Sequence, residues 1–147
     1  MNGLNTNAIS KLNDNPQLLP ATVITTNTTT VGVVHDLRDC ADQVVSVALT
    51  VSAYSGAGSV KLLLEKSTDG ITFTPIANDN LVIKNPSTGV EIESADKAAA
   101  VALSGVGVSK LGFLANHNFV KASIVSTGIT GSVTASAIIQ YEKRFQK

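Results

Sequence analysis

Apolar residues fall on every second position in two long stretches, Val44 to Glu65 and Val120 to Glu142, with Ser, Thr or Lys between them. A period of two puts alternate side chains on opposite faces of an extended strand, so both stretches predict sheets with one buried and one wet face. Each reads as two strands joined by a glycine-containing turn. In the first, Val45, Val47, Leu49, Val51 and Ala53 share one face and Ser46, Ala48, Thr50 and Ser52 the other. Tyr54-Ser-Gly-Ala-Gly58 is the expected turn. Val60, Leu62 and Leu64 then resume the inward face, with Lys61 and Glu65 outward and Leu63 out of pattern. Ser67-Thr-Asp-Gly70 signals a tight turn, because Asp-Gly supplies the positive φ that hairpins need. Ile71 to Ile76 is therefore expected to pair with strand 59–66.

Elsewhere the pattern is shorter. Thr22 to Thr26 and Thr29 to Val34 predict one strand kinked at Asn27 or two short ones, followed by a polar connection from His35 to Asp42. Leu81 to Lys84 and Gly89 to Glu93 predict short strands around the turn Asn85-Pro-Ser-Thr-Gly89. Ala98 to Leu103 has no decisive period; Gly105 and Gly107 would cut a helix short, which favours a strand. Phe113 to Asn118 reads as a loop whose Phe113 and Leu114 plug the core. Setting Ser59-Val60 on Ser132-Val133, an offset of 73, also sets Val47, Leu49 and Val51 on Val120, Ala122 and Ile124, and Gly58 on Gly131. The match fits either two similar hairpins, each lending a face to a two-layer sandwich, or the chance likeness of alternating strands.

About eight strands separated by turn signals predict an all-β protein, a two-sheet β-sandwich with the jelly roll preferred. The expected organisation is an extended N-terminal arm, residues 1–20, and a single sandwich domain, residues 21–147. Pro16 and Pro20 interrupt regular structure in the arm, and Leu4, Ile9, Leu12, Leu18 and Leu19 are apolar on an otherwise polar segment. Such an arm either docks on a neighbouring surface or packs loosely on its own domain.

Composition agrees with the periodicity. Val, Ile and Thr supply 17, 10 and 15 of the 147 residues, and there is no Trp; β-branched side chains suit a pleated, half-buried surface. Eleven basic residues balance eleven acidic ones, so no net field draws nucleic acid or an anionic membrane, and neither is an expected partner. A neutral surface suits packing against copies of itself or simply reflects modest solubility. Cys40 is the only cysteine, which excludes an intrachain disulfide. The N-terminus has no signal-peptide pattern and no run approaches the ~18 apolar residues of a membrane span, so the chain is expected to be made and kept in the cytoplasm, or in something assembled there.

Residues that carry chemistry are scattered. His35 and His117 lie in no metal-binding spacing, and Cys40 with either His lacks an orienting third group. Asp36, Asp39 and Asp42 form an acidic cluster without EF-hand spacing, and Arg38 sits inside it. Glu91 and Glu93 share a face if that segment is a strand, but no aromatic cluster accompanies them to stack a sugar. Gly105-Val-Gly107-Val-Ser-Lys110 begins like a dinucleotide fingerprint and has Lys110 where the third glycine belongs. Gly107 and Gly112 have P-loop spacing, yet Phe113 and Leu114 replace the phosphate-binding residues. The expectation is no enzyme, no cofactor and no metal. The tail Tyr141-Glu-Lys-Arg-Phe-Gln-Lys147 is locally basic and reads as an interaction tail or a solvated strand end.

Taken together, the Thr-rich first strand, Val44-Val-Ser-Val-Ala-Leu-Thr-Val-Ser-Ala53, Ser59-Val-Lys-Leu-Leu-Leu-Glu-Lys-Ser-Thr-Asp-Gly70 and the closing pair Val120 to Ser126 and Ser132 to Ile139 resemble tailed-bacteriophage virion proteins, in particular the small jelly-roll or β-sandwich cement, or decoration, proteins. The resemblance covers residues 22 to 142. It implies a non-enzymatic virion protein on the outside of an icosahedral capsid, assembled in the host cytoplasm. Its implied partners are the major capsid protein and further copies of itself, as dimers or trimers. On that reading Leu4, Ile9 and Leu12 of the arm, with loop tips at Tyr54 and Phe113, are the candidate contact residues. The alternatives are a carbohydrate-binding or adhesion module, discriminated by an aromatic platform, and a head-completion or tail protein forming a ring.

Overall fold

The two alternating stretches supply four of the nine strands in the computed structural model, which describes residues 17–38 and 43–141. The strands are β1 (Gln17–Ile24), β2 (Thr29–Asp36), β3 (Val44–Ser55), β4 (Ser59–Ser67), β5 (Thr74–Pro75), β6 (Leu81–Val82), β7 (Gly107–Leu114), β8 (Phe119–Thr127) and β9 (Ser132–Tyr141). They form two antiparallel sheets, ordered β1-β9-β3-β7-β6 and β2-β8-β4-β5. Setting aside the two-residue β6, the pairs β1–β9, β2–β8, β3–β7 and β4–β5 nest as one long hairpin does. That hairpin is wrapped so that its strands fall in two facing sheets. This is the jelly-roll order, and it confirms the predicted β-sandwich.

The core lies between the sheets. Val45, Val47, Leu49 and Val51 from one side meet Leu62, Leu64, Ala122 and Ile124 from the other, all buried, which follows the alternation read from the sequence. Ala53 leaves that pattern. A register shift in the β3–β9 ladder between Val51 and Ala53 inserts one extra residue, so Ala53 turns outward and Tyr54 turns in, opposite the buried Val133.

The two alternating stretches are not hairpins. The short turn after β3 carries the chain across to the opposite sheet, and the turn after β8 does the same in reverse. Each stretch is an arch with one strand in each sheet. β3 pairs with β9, and β4 with β8. The offset of 73 is nevertheless kept in the register. Val51 pairs with Ala135, and the residues 73 later and 73 earlier, Ile124 and Leu62, also pair; Leu49–Ala137 and Ala122–Leu64 repeat the relation. The turns meet at equivalent positions: Ala57 N–H donates to Thr130 Oγ1 at 2.8 Å, and Thr130 N–H donates to the Ala57 carbonyl at 3.2 Å. Gly58 sits there at φ +115°, and a Cβ on it would come within 2.8 Å of the Gly128 backbone.

Other expectations need correction. Leu18 and Leu19, assigned to the arm, are buried in β1, where the pairing with β9 shifts register on either side of Leu19 and the second shift spans Pro20. The sandwich therefore includes residues 17–20, while residues 1–16 lie outside the described residues. Of the two readings of Thr22–Val34, the two-strand one holds: the strands lie in different sheets and turn about Asn27, whose Oδ1 accepts the Ile129 N–H. The 67–76 hairpin shrinks to Thr74–Pro75 opposite Glu65 and Lys66. Asp69 Oδ1 takes the N–H groups of Ile71 and Thr72 that a ladder would use, and Pro75 has none to give. Ala98 falls in a helical turn, Lys97–Ala100, capped by Asp96 Oδ1 on Ala99 N–H. The turn ends before Gly105, and Leu103 then bridges to Val60.

Candidate interaction surfaces

Of the sequence-derived contact residues, Tyr54 and Phe113 fall among the described residues. Leu4, Ile9 and Leu12 lie outside the described residues. Phe113 is no loop tip: it lies within β7, paired with Val45 and Leu81, and is fully buried. The strand continues through it because Leu111 and Phe113 occupy alternate inward positions. Its exposed neighbour Leu114 faces outward and does not plug the core. Tyr54 is half-buried against the core, and its hydroxyl donates to the Gly58 carbonyl at 2.8 Å. It braces the turn and leaves little surface for a partner.

Two local arrangements of titratable groups stand out among the described residues. Arg38 clamps Asp36 through its Nε and a terminal nitrogen, the shortest contact 2.6 Å, and its guanidinium lies over the Phe119 ring. These hydrogen bonds hold the Asp36 carboxyl down at about 2. Asp39, Cys40 and Asp42 lie outside the described residues. Among the described residues no three His, Cys, Asp or Glu side chains gather as metal ligands. Glu91 bridges to Lys84, Glu93 lies just beyond that bridge, and both are exposed.

The second arrangement is a polar recess of about 390 Å³ beside the 67–73 loop, lined by Lys66, Ser67, Asp69, Thr72, Asn116 and His117. His117 stacks on Phe113 with ring centres 5.7 Å apart. Its Nδ1 lies 2.9 Å from the acceptor Asn116 Oδ1, which puts the ring proton on Nδ1 and leaves Nε2 a buried acceptor without a partner among the described residues. Burial, then the nearby Lys66 charge, lowers the His117 pKa and favours this neutral form. Hydrogen bonds from Thr72 and Ile71 N–H and from Ser67 hold Asp69 at about 2.

Two larger surfaces were missed in the sequence. One is a groove of about 860 Å³ on the outer face of the five-stranded sheet, between Val82, Ile92, Val101, Val108 and Lys110. The other is the side of the sandwich closed by β1 and β2. No residue from Gln17 to Val34 is charged, and four valines stand out there: Val23, Val31, Val33 and Val34, 65%, 62%, 57% and 46% exposed. The uncharged, β-branched run was the available signal.

No family model matches the chain, and no curated protein matches it. Among solved structures, the crystal structure of the SPBc2 prophage-derived protein YomS is similar, with a TM-score of 0.45 and 14% identity over 86% of this chain and 94% of that one.

Proposed function

We propose that this chain is a structural virion protein that binds the outside of an icosahedral phage capsid and stabilises it, a cement protein without catalytic activity. The observation that carries the reading is the wrapping. The strands whose sequence resembles phage cement proteins, of jelly-roll or β-sandwich type, wind as a two-sheet sandwich in the jelly-roll order. A jelly roll serves viral shells and lectins alike, so function must come from its surfaces. Here the rigid two-sheet body would hold contact patches at fixed spacing, with Leu4, Ile9 and Leu12 of the preceding segment as anchors on the major capsid protein. A modest contact per copy, repeated over a lattice, gives a tight coat through avidity.

Co-sedimentation with expanded shells lacking the protein tests this. Saturable pelleting at a fixed ratio to the major capsid protein supports it, and a chain that stays in the supernatant at every ratio refutes it. A carbohydrate-binding module is the second reading. It is favoured by the hydroxyl- and amide-rich recess around His117, and glycan-array binding that is lost on Asn116→Ala would support it.

A further inference from the structure

The two sides of the sandwich are finished differently. One ends in the two-residue strands β5 and β6, too short to template another strand. The other ends in β1 and β2, eight residues each. Proteins usually guard such edges with charge, prolines or cover. β1 is broken by its bulges and Pro20, but β2 has no proline, and its first charged side chain is Asp36 at its end.

Among the described residues, the backbone of β2 shows which groups β8 leaves without a ladder partner. Thr28 O accepts Ser126 N–H, and Leu37 N–H donates to Asn118 O, both on the β8 side. Alternation along an antiparallel ladder then turns Thr30 and His35 toward β8, and Thr29, Val31, Val34 and Asp36 away from it. The register shift between Val31 and Val34 makes the outward set symmetric. Reversed and laid against itself, Thr29 falls opposite Asp36 and Val31 opposite Val34. Gly32 holds the bulge in place, since a Cβ there would run into the carbonyl oxygens of Ala122 and Leu18.

We propose that β2 pairs antiparallel with β2 of a second copy about a two-fold axis between residues 32 and 33, joining the two four-stranded sheets into one. The occupant is a second copy because the edge is complementary to itself, as an isologous contact requires. Charge agrees: in this register each Asp36 meets a Thr29, no like charges face each other, and the chain's formal net charge is zero. Exposed Val31 and Val34 become cross-strand neighbours, the arrangement that stabilises paired strands. The dimer stands independently of shell attachment, so failure of either experiment leaves the other unaffected.

Light scattering across a dilution series tests it. The full chain is expected to be a dimer in reversible equilibrium with monomer. Val31→Lys with Val34→Lys places like charges opposite each other twice and should weaken the dimer roughly 10- to 100-fold, while far-UV circular dichroism stays unchanged. Val31→Lys with Val34→Glu places opposite charges at the same points and should recover most of the loss. Amide exchange at Thr29, Val31 and Val34 should slow in the dimer alone. A monomer at all concentrations, a trimer, or a dimer untouched by the Lys pair would overturn the proposal. So would failure of the Lys/Glu pair to rescue, or loss of the dimer only when residues 1–16 are deleted.

Discussion

Asn78 ties two distant segments through one side chain: its Nδ2 donates to the Ser94 carbonyl at 2.9 Å and its Oδ1 accepts the Lys97 N–H at 2.8 Å. Removing both bonds leaves two part-buried backbone groups unpaired. Asn78→Ala should therefore lower stability by about 1–3 kcal/mol in urea unfolding, and Asn78→Asp, which keeps only the acceptor, should fall between it and the wild type. Asp69 makes a pH-dependent contribution of definite sign. Its carboxyl is held at about 2 against a usual 3.8, so the stability it lends is present above about 4 and disappears as the pH falls toward 2. Over that interval Asp69→Asn should flatten the stability-versus-pH curve relative to wild type. His117 acts higher on the scale. Its lowered pKa means that the unfolded chain takes up the proton first, so acidification below the ordinary imidazole value of 6.5 costs stability. Unfolding midpoints of His117→Gln should lose that part of the slope.

At the scale of elements, β1 separates two truncations that look alike in sequence. Deleting residues 1–16 leaves β1 whole. Deleting 1–20 removes the buried Leu18 and Leu19, and each such loss typically costs about 2–5 kcal/mol, so the shorter chain should unfold at a clearly lower urea concentration. The sequence hid this because Pro20 marks a break wherever it stands, and here the break is a bulge inside a strand. Alternation made β3, β4, β8 and β9 legible almost residue by residue, since period two reports which face is buried. It does not report which sheet a strand joins, and so the arches looked like hairpins. Tyr54 was misjudged for a related reason: one inserted residue at the end of β3 reverses the facing of everything after it. Phe113 was misjudged because two neighbouring large apolar residues, one in and one out, show no alternation to the eye.

For the whole molecule, the nested pairing makes contacts non-local. β1 must find β9 and β2 must find β8 across most of the chain, and loops of that length close only after much ordering. Refolding monitored by stopped-flow fluorescence of Tyr54 and Tyr141 should run in about milliseconds to seconds, the slow end for domains of this size. The same wrapping sets the opening strand against the closing one, with Gln17 across from Ile138 and Ile24 across from Val133. Whatever is carried on either end thus departs from a common seam. A donor dye on Gln17 and an acceptor on Ile138 would remain within transfer distance while that seam holds and separate once it unzips. This gives the protein a built-in gauge of its own opening, readable one molecule at a time.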